Sequence, residues 1–240
     1  MREILMPGLD EMGITPPAGA VEALERYAEL LLEQNRVMNL TAITQPEAVA
    51  RLHFLDSAGL LSRGGGGPGW WSGKRVIDVG TGAGFPGLVL KLLEPSLSLT
   101  LLDSLGKRVT WLEGVCHALG LEGVQCLHAR AEEQALEPGF RDAFDVAVSR
   151  AVASLPLLCE LCLPYVKEGG VFFAMKRVES GEETQAAQRS VKRLGGELLG
   201  TVDYAVPGTD VIHRLVPVRK TAQTPKGYPR KWAKIKKEPL

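Results

Sequence analysis

Residues 76–87 read Val-Ile-Asp-Val-Gly-Thr-Gly-Ala-Gly-Phe-Pro-Gly, and no other stretch limits the possible fold as strongly. Val76 to Val79 is a short apolar run with strand character. Gly80, Gly82 and Gly84 follow at alternate positions, and apolar residues resume at Leu88. A strand, a glycine turn and a helix start make a binding loop for a nucleotide-type ligand. Glycine lets the backbone approach a ligand closely, and the helix start offers free N–H donors. Asp103 ends the next apolar run, Leu-Thr-Leu-Leu-Asp, nineteen residues after Gly84, a spacing suited to contact with a ribose diol.

The surrounding pattern extends this unit. Strands are expected at 75–79, 97–103, 124–128, 144–149 and 171–175, and helices at 86–93, 107–119, 155–166 and 180–194. Alternation of this kind argues a parallel sheet with helices on both faces. Two β-like stretches without a helix between them, 197–206 and 211–219, are expected to add a terminal hairpin. Helical spacing over 18–38, and a second helix opened by Pro46, give a helical N-terminal extension over 1–63. Gly64 to Gly69 reads as a flexible connection, so 64–73 is taken as a linker, 74–220 as the sheet domain and 221–240 as a basic tail.

The register is Asp-x-Gly-x-Gly-x-Gly, with Asp78 two residues before the first glycine, and not the G-x-G-x-x-G of dinucleotide folds. Methyltransferases that use S-adenosylmethionine (SAM) are similar in this respect. No pyrophosphate groove is needed beside a methionine moiety, and an acid such as Asp78 can face its ammonium.

No apolar run has the length of a membrane span, and the first residues lack a signal-peptide core. The expected location is the cytoplasm. The four cysteines, Cys116, Cys126, Cys159 and Cys162, lie in apolar patterns without a second Cys or His pair, so buried thiols are expected and no metal. Residues 214–240 hold nine Lys or Arg and one acid, Glu238, which leaves a tail near +8 on a body near −8 although the formal net charge is zero. Such a run is either a solvated terminus or a contact for a polyanion. Tyr228 and Trp232 among the cations favour RNA, where bases stack and phosphates pair. Arg219, Lys220, Arg230 and Lys231 are the expected RNA contacts.

Ligands of open parallel sheets sit at the carboxyl ends of the strands. Arg150 and Lys176 end the fourth and fifth strands and are expected in the reaction pocket, against the alternative of salt bridges. Phe85 either walls the ligand or packs under the glycine loop. Ala131 and Glu132, after the third strand, either meet an adenine or cap a helix. There is no Asn-Pro-Pro-Tyr or Asp-Pro-Pro-Tyr run and no cysteine that follows a proline. The four histidines form no obvious acid–base pair. This suits attack by guanine N7, whose in-plane lone pair carries no proton, so that orientation alone supplies rate. Arg150 then serves as a donor to guanine O6 or a phosphate.

Seven runs together carry a resemblance: Asn39 to Ile43, His53 to Ser57, Asp78 to Gly87, Leu102 to Arg108, Ala131-Glu132, Ser149 to Ala153 and Tyr228 to Lys231. In order and over nearly the whole chain, they resemble the bacterial small-subunit ribosomal RNA guanine-N7 methyltransferases, the glucose-inhibited division protein B family. The resemblance implies a class I SAM-dependent methyltransferase fold, Rossmann-like, with a mostly parallel seven-stranded sheet. It implies SAM as methyl donor and the guanine numbered 527 of 16S rRNA as acceptor. The partner is free rRNA, the small subunit or its assembly intermediate, met by a monomer. Gly80, Phe85, Ala131, Glu132 and Arg150 match the family's ligand residues, and Asp103 its acid after the second strand. Trp232 stands where a proline is expected, and the glycine-rich linker is longer than expected. Two other readings remain: a nicotinamide-dependent oxidoreductase on the same sheet, and a ribosome-binding factor without catalysis.

Overall fold

The computed structural model describes residues 1–150 and 153–240; Ala151 and Val152 of the Ser149–Ala153 run lie outside the described residues. The first helices are α1 (Arg2–Glu11), α2 (Ala20–Asn35), α3 (Pro46–Val49) and α4 (Asp56–Arg63), the last two joined by a π turn over Ala50–Leu55. Then follow β1 (Arg75–Val79), α5 (Gly87–Leu93), β2 (Ser98–Asp103), α6 (Gly106–Ala118), β3 (Val124–His128), α7 (Ala131–Gln134) and β4 (Phe144–Arg150). The chain continues through α8 (Leu155–Cys162), β5 (Val166–Arg177), α9 (Gly181–Ala186), α10 (Gln188–Arg193), β6 (Gly196–Leu198), β7 (Val202–Ala205), β8 (Ile212–Lys220) and α11 (Trp232–Lys237).

The sheet order is β3-β2-β1-β4-β5-β8-β6, with β7 also paired to β8. Pairs among β1 to β5 are parallel, and β8 runs antiparallel to β5. β6 and β7 both pair with β8, as two halves of one broken strand. The eight strands therefore fill seven lanes, as expected. The order reverses between β1 and β4, so a crevice opens at the carboxyl ends of β1 and β2 beside the switch point.

Alternation along each strand explains the two cores. Val76, Val146, Val148 and Phe173 pack with α1, α2, α4, α5 and α6, whereas Ile77, Val79, Ala147 and Phe172 pack with α8, α10 and α11. The N-terminal helices are thus one face of the main body. Several expectations change. α1 falls within the expected helical extension, outside the periodicity that supported it; it carries Pro7 inside the helix, and Gly8 lets it pack closely against Leu55. The supposed flexible connection contains a tight turn at Pro68–Trp71, in which Trp71 is fully buried and its Nε1–H donates to Gly64 O at 3.2 Å. The helix expected over 155–166 stops at Cys162, since Pro164 lacks an amide hydrogen, and β5 begins at Val166.

Candidate functional site

A cavity of about 210 Å³ lies at the carboxyl ends of β1, β2 and β4. Gly80 and Asp103 line one part, Arg130, Ala131 and Glu132 another, and Leu157, Leu158 and Leu161 of α8 the apolar wall. The glycine loop is fixed from β2: Gly80 N and Thr81 N donate to Leu102 O at 2.9 and 3.1 Å. Asp103 adds to this, with Oδ2 accepting from Gly82 N and Oδ1 from Leu105 N, both at 2.9 Å. A carboxylate oxygen can accept more than one hydrogen bond, so Asp103 keeps acceptor capacity toward the cavity.

Gly80, Gly82 and Gly84 all have positive φ, at 72°, 59° and 94°. The last two are glycines for different reasons. A Cβ on Gly82 would meet only Gly80 O, at 4.0 Å, so the loop leaves open space there. A Cβ on Gly84 would lie 2.5 Å from Tyr27 Oη and 2.7 Å from Leu88 Cδ1. Gly84 therefore admits α2, whose Tyr27 hydroxyl donates to Ala83 O.

Asp78 is fully buried beneath the loop, outside the cavity lining. Its Oδ2 accepts from Thr81 Oγ1 at 2.7 Å and Gly87 N at 2.9 Å. Its Oδ1 has no partner and is the one such buried side-chain atom among the described residues. Burial pushes the carboxyl up to about 6, against the hydrogen bonds from Thr81 and Gly87. Two carboxyls, Asp78 with one oxygen unpartnered beneath the loop and Asp103 on its rim with Arg108 Nη1 at 3.6 Å, suit the cationic groups of SAM better than a pyrophosphate. The residues thus fit SAM, with its sulfonium and ammonium, better than a dinucleotide.

Glu132 is buried, and Arg130 Nε donates to its Oε1 at 2.8 Å. Tyr165 Oη donates to Ala131 O at 2.6 Å, tying this turn to the segment between α8 and β5. Both Ala131 and Glu132 line the cavity and open α7, whose N-cap is Arg130 with no side-chain cap.

Arg150 faces the other side of β4 from Ser149. Ser149 lines the cavity and donates to Val79 O at 2.9 Å, whereas Arg150 reaches the N-terminal helices. Its Nη1 donates to Asp56 Oδ2 at 3.0 Å and to Leu52 O at 3.4 Å, and its Nη2 to His53 Nδ1 at 2.9 Å. Guanidinium only donates, so His53 Nδ1 accepts and its Nε2–H must face Thr41 Oγ1, 2.8 Å away. Burial and then the Arg150 charge lower His53 to about 3, so the ring is neutral. Asp56 Oδ1 accepts from Tyr204 Oη at 2.8 Å and His213 Nδ1 at 2.6 Å. Phe85 lies in this cluster and not in the cavity lining, stacked on His53 at 4.4 Å with the Arg150 guanidinium 4.9 Å from its ring centre.

Lys176 also lies outside the cavity lining. Its Nζ donates to Ala153 O at 2.7 Å and pairs with Glu183 at 3.0 Å, a structural tie across the end of β5. Two of the expected RNA contacts are turned into the body, Lys220 fully buried and Arg230 half-buried. Lys220 is fully buried, its ammonium on Asp142 Oδ1 at 2.8 Å, Leu163 O at 2.7 Å and Val166 O at 2.9 Å. Arg230 forks onto buried Glu160 at 2.8 and 2.6 Å. Arg219 is exposed, but β8 sets it opposite Val171, at the far end of the sheet from the cavity. Lys231 is exposed at the start of α11, beside the cavity. Lys220→Gln is accordingly expected to destabilise by about 1.5–3 kcal/mol, the scale of a lost charged hydrogen-bonding group, read by urea denaturation.

Sequence reasoning missed Trp232, which lines the cavity, and the roles of His53, Asp56, Tyr204 and His213. The signal for His53 and Asp56 was their spacing of three in a helical pattern, although His53 lies in the π turn and Asp56 opens α4. The others come from distant segments. Cys159 and Cys162 are buried with thiols raised by burial, and Cys126 is half-buried with its Sγ 3.9 Å from Cys116 Sγ. Among the described residues there is no metal-binding cluster, and no helix is long and apolar enough to cross a membrane.

This chain is 45% identical to the ribosomal RNA small subunit methyltransferase G of Alkaliphilus metalliredigens over 99% of its length and 98% of that protein. It is 44% identical to the protein of the same name from Lachnoclostridium phytofermentans, over 97% of this chain and 95% of that one. A predicted O-methyltransferase of Agrobacterium tumefaciens shares the fold at a TM-score of 0.51 and 17% identity, covering 70% of this chain and 80% of that one. Residues 20–206 match the family described as GidB, rRNA small subunit methyltransferase G, and at this extent and identity the chain belongs to that family.

Proposed function

We propose that the protein transfers a methyl group from SAM to N7 of a guanine in 16S ribosomal RNA, at the family's site 527, in the cytoplasm. The observation that carries the reading is a cavity lined together by Gly80 of the glycine loop, Asp103 and the Ala131–Glu132 turn, in a chain of this family. Bound SAM supplies an electrophilic methyl on a sulfonium. Gly80 and Gly82 leave room for the backbone to meet the methionine end, Asp103 accepts from the ribose hydroxyls, and Ala131 and Glu132 face the purine.

Guanine N7 attacks without losing a proton, so the protein has to orient and desolvate it. This agrees with His53, which is neutral and has both ring nitrogens occupied. Arg150 is suited to positioning. Three of its five N–H bonds are held by Asp56, Leu52 and His53, and those left on Nε and Nη2 have no acceptor among the described residues. They are directed donors for a guanine oxygen or a phosphate. Lys231, with the exposed cations of α11, gives the RNA backbone a contact beside the cavity. The defining experiment maps methylated guanines in small-subunit RNA from cells with and without the protein. Identical patterns reject the reading.

Asp103→Ala is expected to weaken SAM binding by about 1.5–3 kcal/mol, the scale of hydrogen bonds to a charged group. Calorimetry with SAM reads this directly. An affinity equal to that of the parent removes Asp103 from the ligand set.

A further inference from the structure

The C-terminal segment, which by composition alone would be a solvated basic tail, returns to the body and contributes a wall of the cavity. Three anchors bring it there. Arg141 donates to Thr224 O at 2.7 Å and Tyr228 O at 2.8 Å. Arg230 forks onto Glu160 of α8, and Ser190 Oγ donates to Leu240 O at 2.6 Å. Between the last two anchors, α11 buries Ile235 fully and sets Trp232 in the lining of the cavity, which Leu157, Leu158 and Leu161 of α8 share. The Arg130 guanidinium lies 5.9 Å from the Trp232 ring centre, and both residues line the cavity.

We infer that Trp232 is a cofactor-binding residue, and that α11 is a lid whose docking is coupled to occupancy of the cavity. The inference rests on the methyltransferase reading, in which the cavity takes the adenosine end of SAM or of its product S-adenosylhomocysteine (SAH). The lid has a physical basis in this geometry. The leucines of α8 offer an apolar surface to a flat purine, and the indole ring of Trp232 offers an aromatic one for stacking. α11 has six residues, too few to be stable as an isolated helix, so it holds its shape through its anchors and the surface it covers. Coupling is reciprocal: if a docked Trp232 strengthens binding of the nucleoside, the bound nucleoside strengthens docking of α11 to the same factor. The helix also exposes Lys234, Lys236 and Lys237, with Lys231 immediately before it. Loading of the cofactor would therefore fix the position of four cations beside the cavity.

The test uses the full chain and SAH. Calorimetry should give a Kd for Trp232→Ala about tenfold above the parent, within the range for losing one base–aromatic stack, whereas Trp232→Phe stays close to the parent. SAH should slow trypsin cleavage at Lys231, Lys234, Lys236 and Lys237 in the parent, and not in Trp232→Ala. Parent-like SAH affinity in Trp232→Ala overturns the binding role. Cleavage of the parent at the same rate with and without SAH overturns the lid, and needs no substitution. A parent that binds no SAH at all fails at the earlier step and rejects the methyltransferase reading itself, which separates the two failures.

Discussion

Gly82→Val is expected to abolish SAM binding, with the affinity falling more than a hundredfold, while the sheet remains folded. Gly82 sits at φ 59°, a region costly for a β-branched residue, and its Cβ would enter the open space above the loop. Its amide is also held by Asp103 at 2.9 Å, so a shift of the loop displaces the acid expected to take the ribose. Two losses, of space and of a positioned carboxylate, act on one ligand. The backbone strain itself adds about 1–2 kcal/mol of destabilisation. Calorimetry with SAM and far-ultraviolet circular dichroism separate the effects. A folded variant that binds SAM like the parent would show that the loop only connects β1 to α5.

Asp56→Ala is expected to cost about 3–5 kcal/mol of stability, because it leaves a buried cation without its counter-charge. Arg150, His213 and Tyr204 all converge on this carboxylate, which is 1% exposed. Burial acts to raise its pKa, and the His213 hydrogen bond and the Arg150 charge outweigh it, so the group is held below the ordinary 3.8. A folded pKa below the unfolded one stabilises above the unfolded value. That contribution is lost as pH falls through the folded value. The parent should therefore lose stability on acidification below about pH 4 more steeply than Asp56→Ala, in urea titrations across pH. Equal slopes would remove Asp56 from the acid response.

Much of the sheet was legible, because the strands announce themselves by short apolar runs and the loop by glycines at alternate positions. The boundaries of β1 and β3 agree with the pattern, since β1 is followed by the glycine loop and β3 by two residues that lead into α7. Other features depended on distant partners. The Gly64–Trp71 stretch looks like a linker until Trp71 meets Phe173, with ring centres 5.6 Å apart. Lys220 looks like any member of a basic run until Asp142 and two carbonyls surround it. Asp103 was readable from spacing along one strand, and its place in the cavity follows. The direction of Arg150 was not, because the face to which β4 turns it depends on which helices cover each side. Trp232 was read as part of an RNA-binding tail, since nothing local says that the chain folds back over α8.

The cluster around Asp56 also orders events in time. Its members come from positions 53, 56, 150, 204 and 213. On the ribosome, Asp56 emerges early and remains hydrated until β4, β7 and β8 have been made. Synthesis at about 5–20 residues per second sets a delay of several seconds or more between the carboxylate and its last partner. Arg150 can meet Leu52, His53 and Asp56 as soon as β4 is made, whereas Asp56 Oδ1 waits for Tyr204 and His213, so a nascent chain that still lacks β8 holds this carboxylate from one side only.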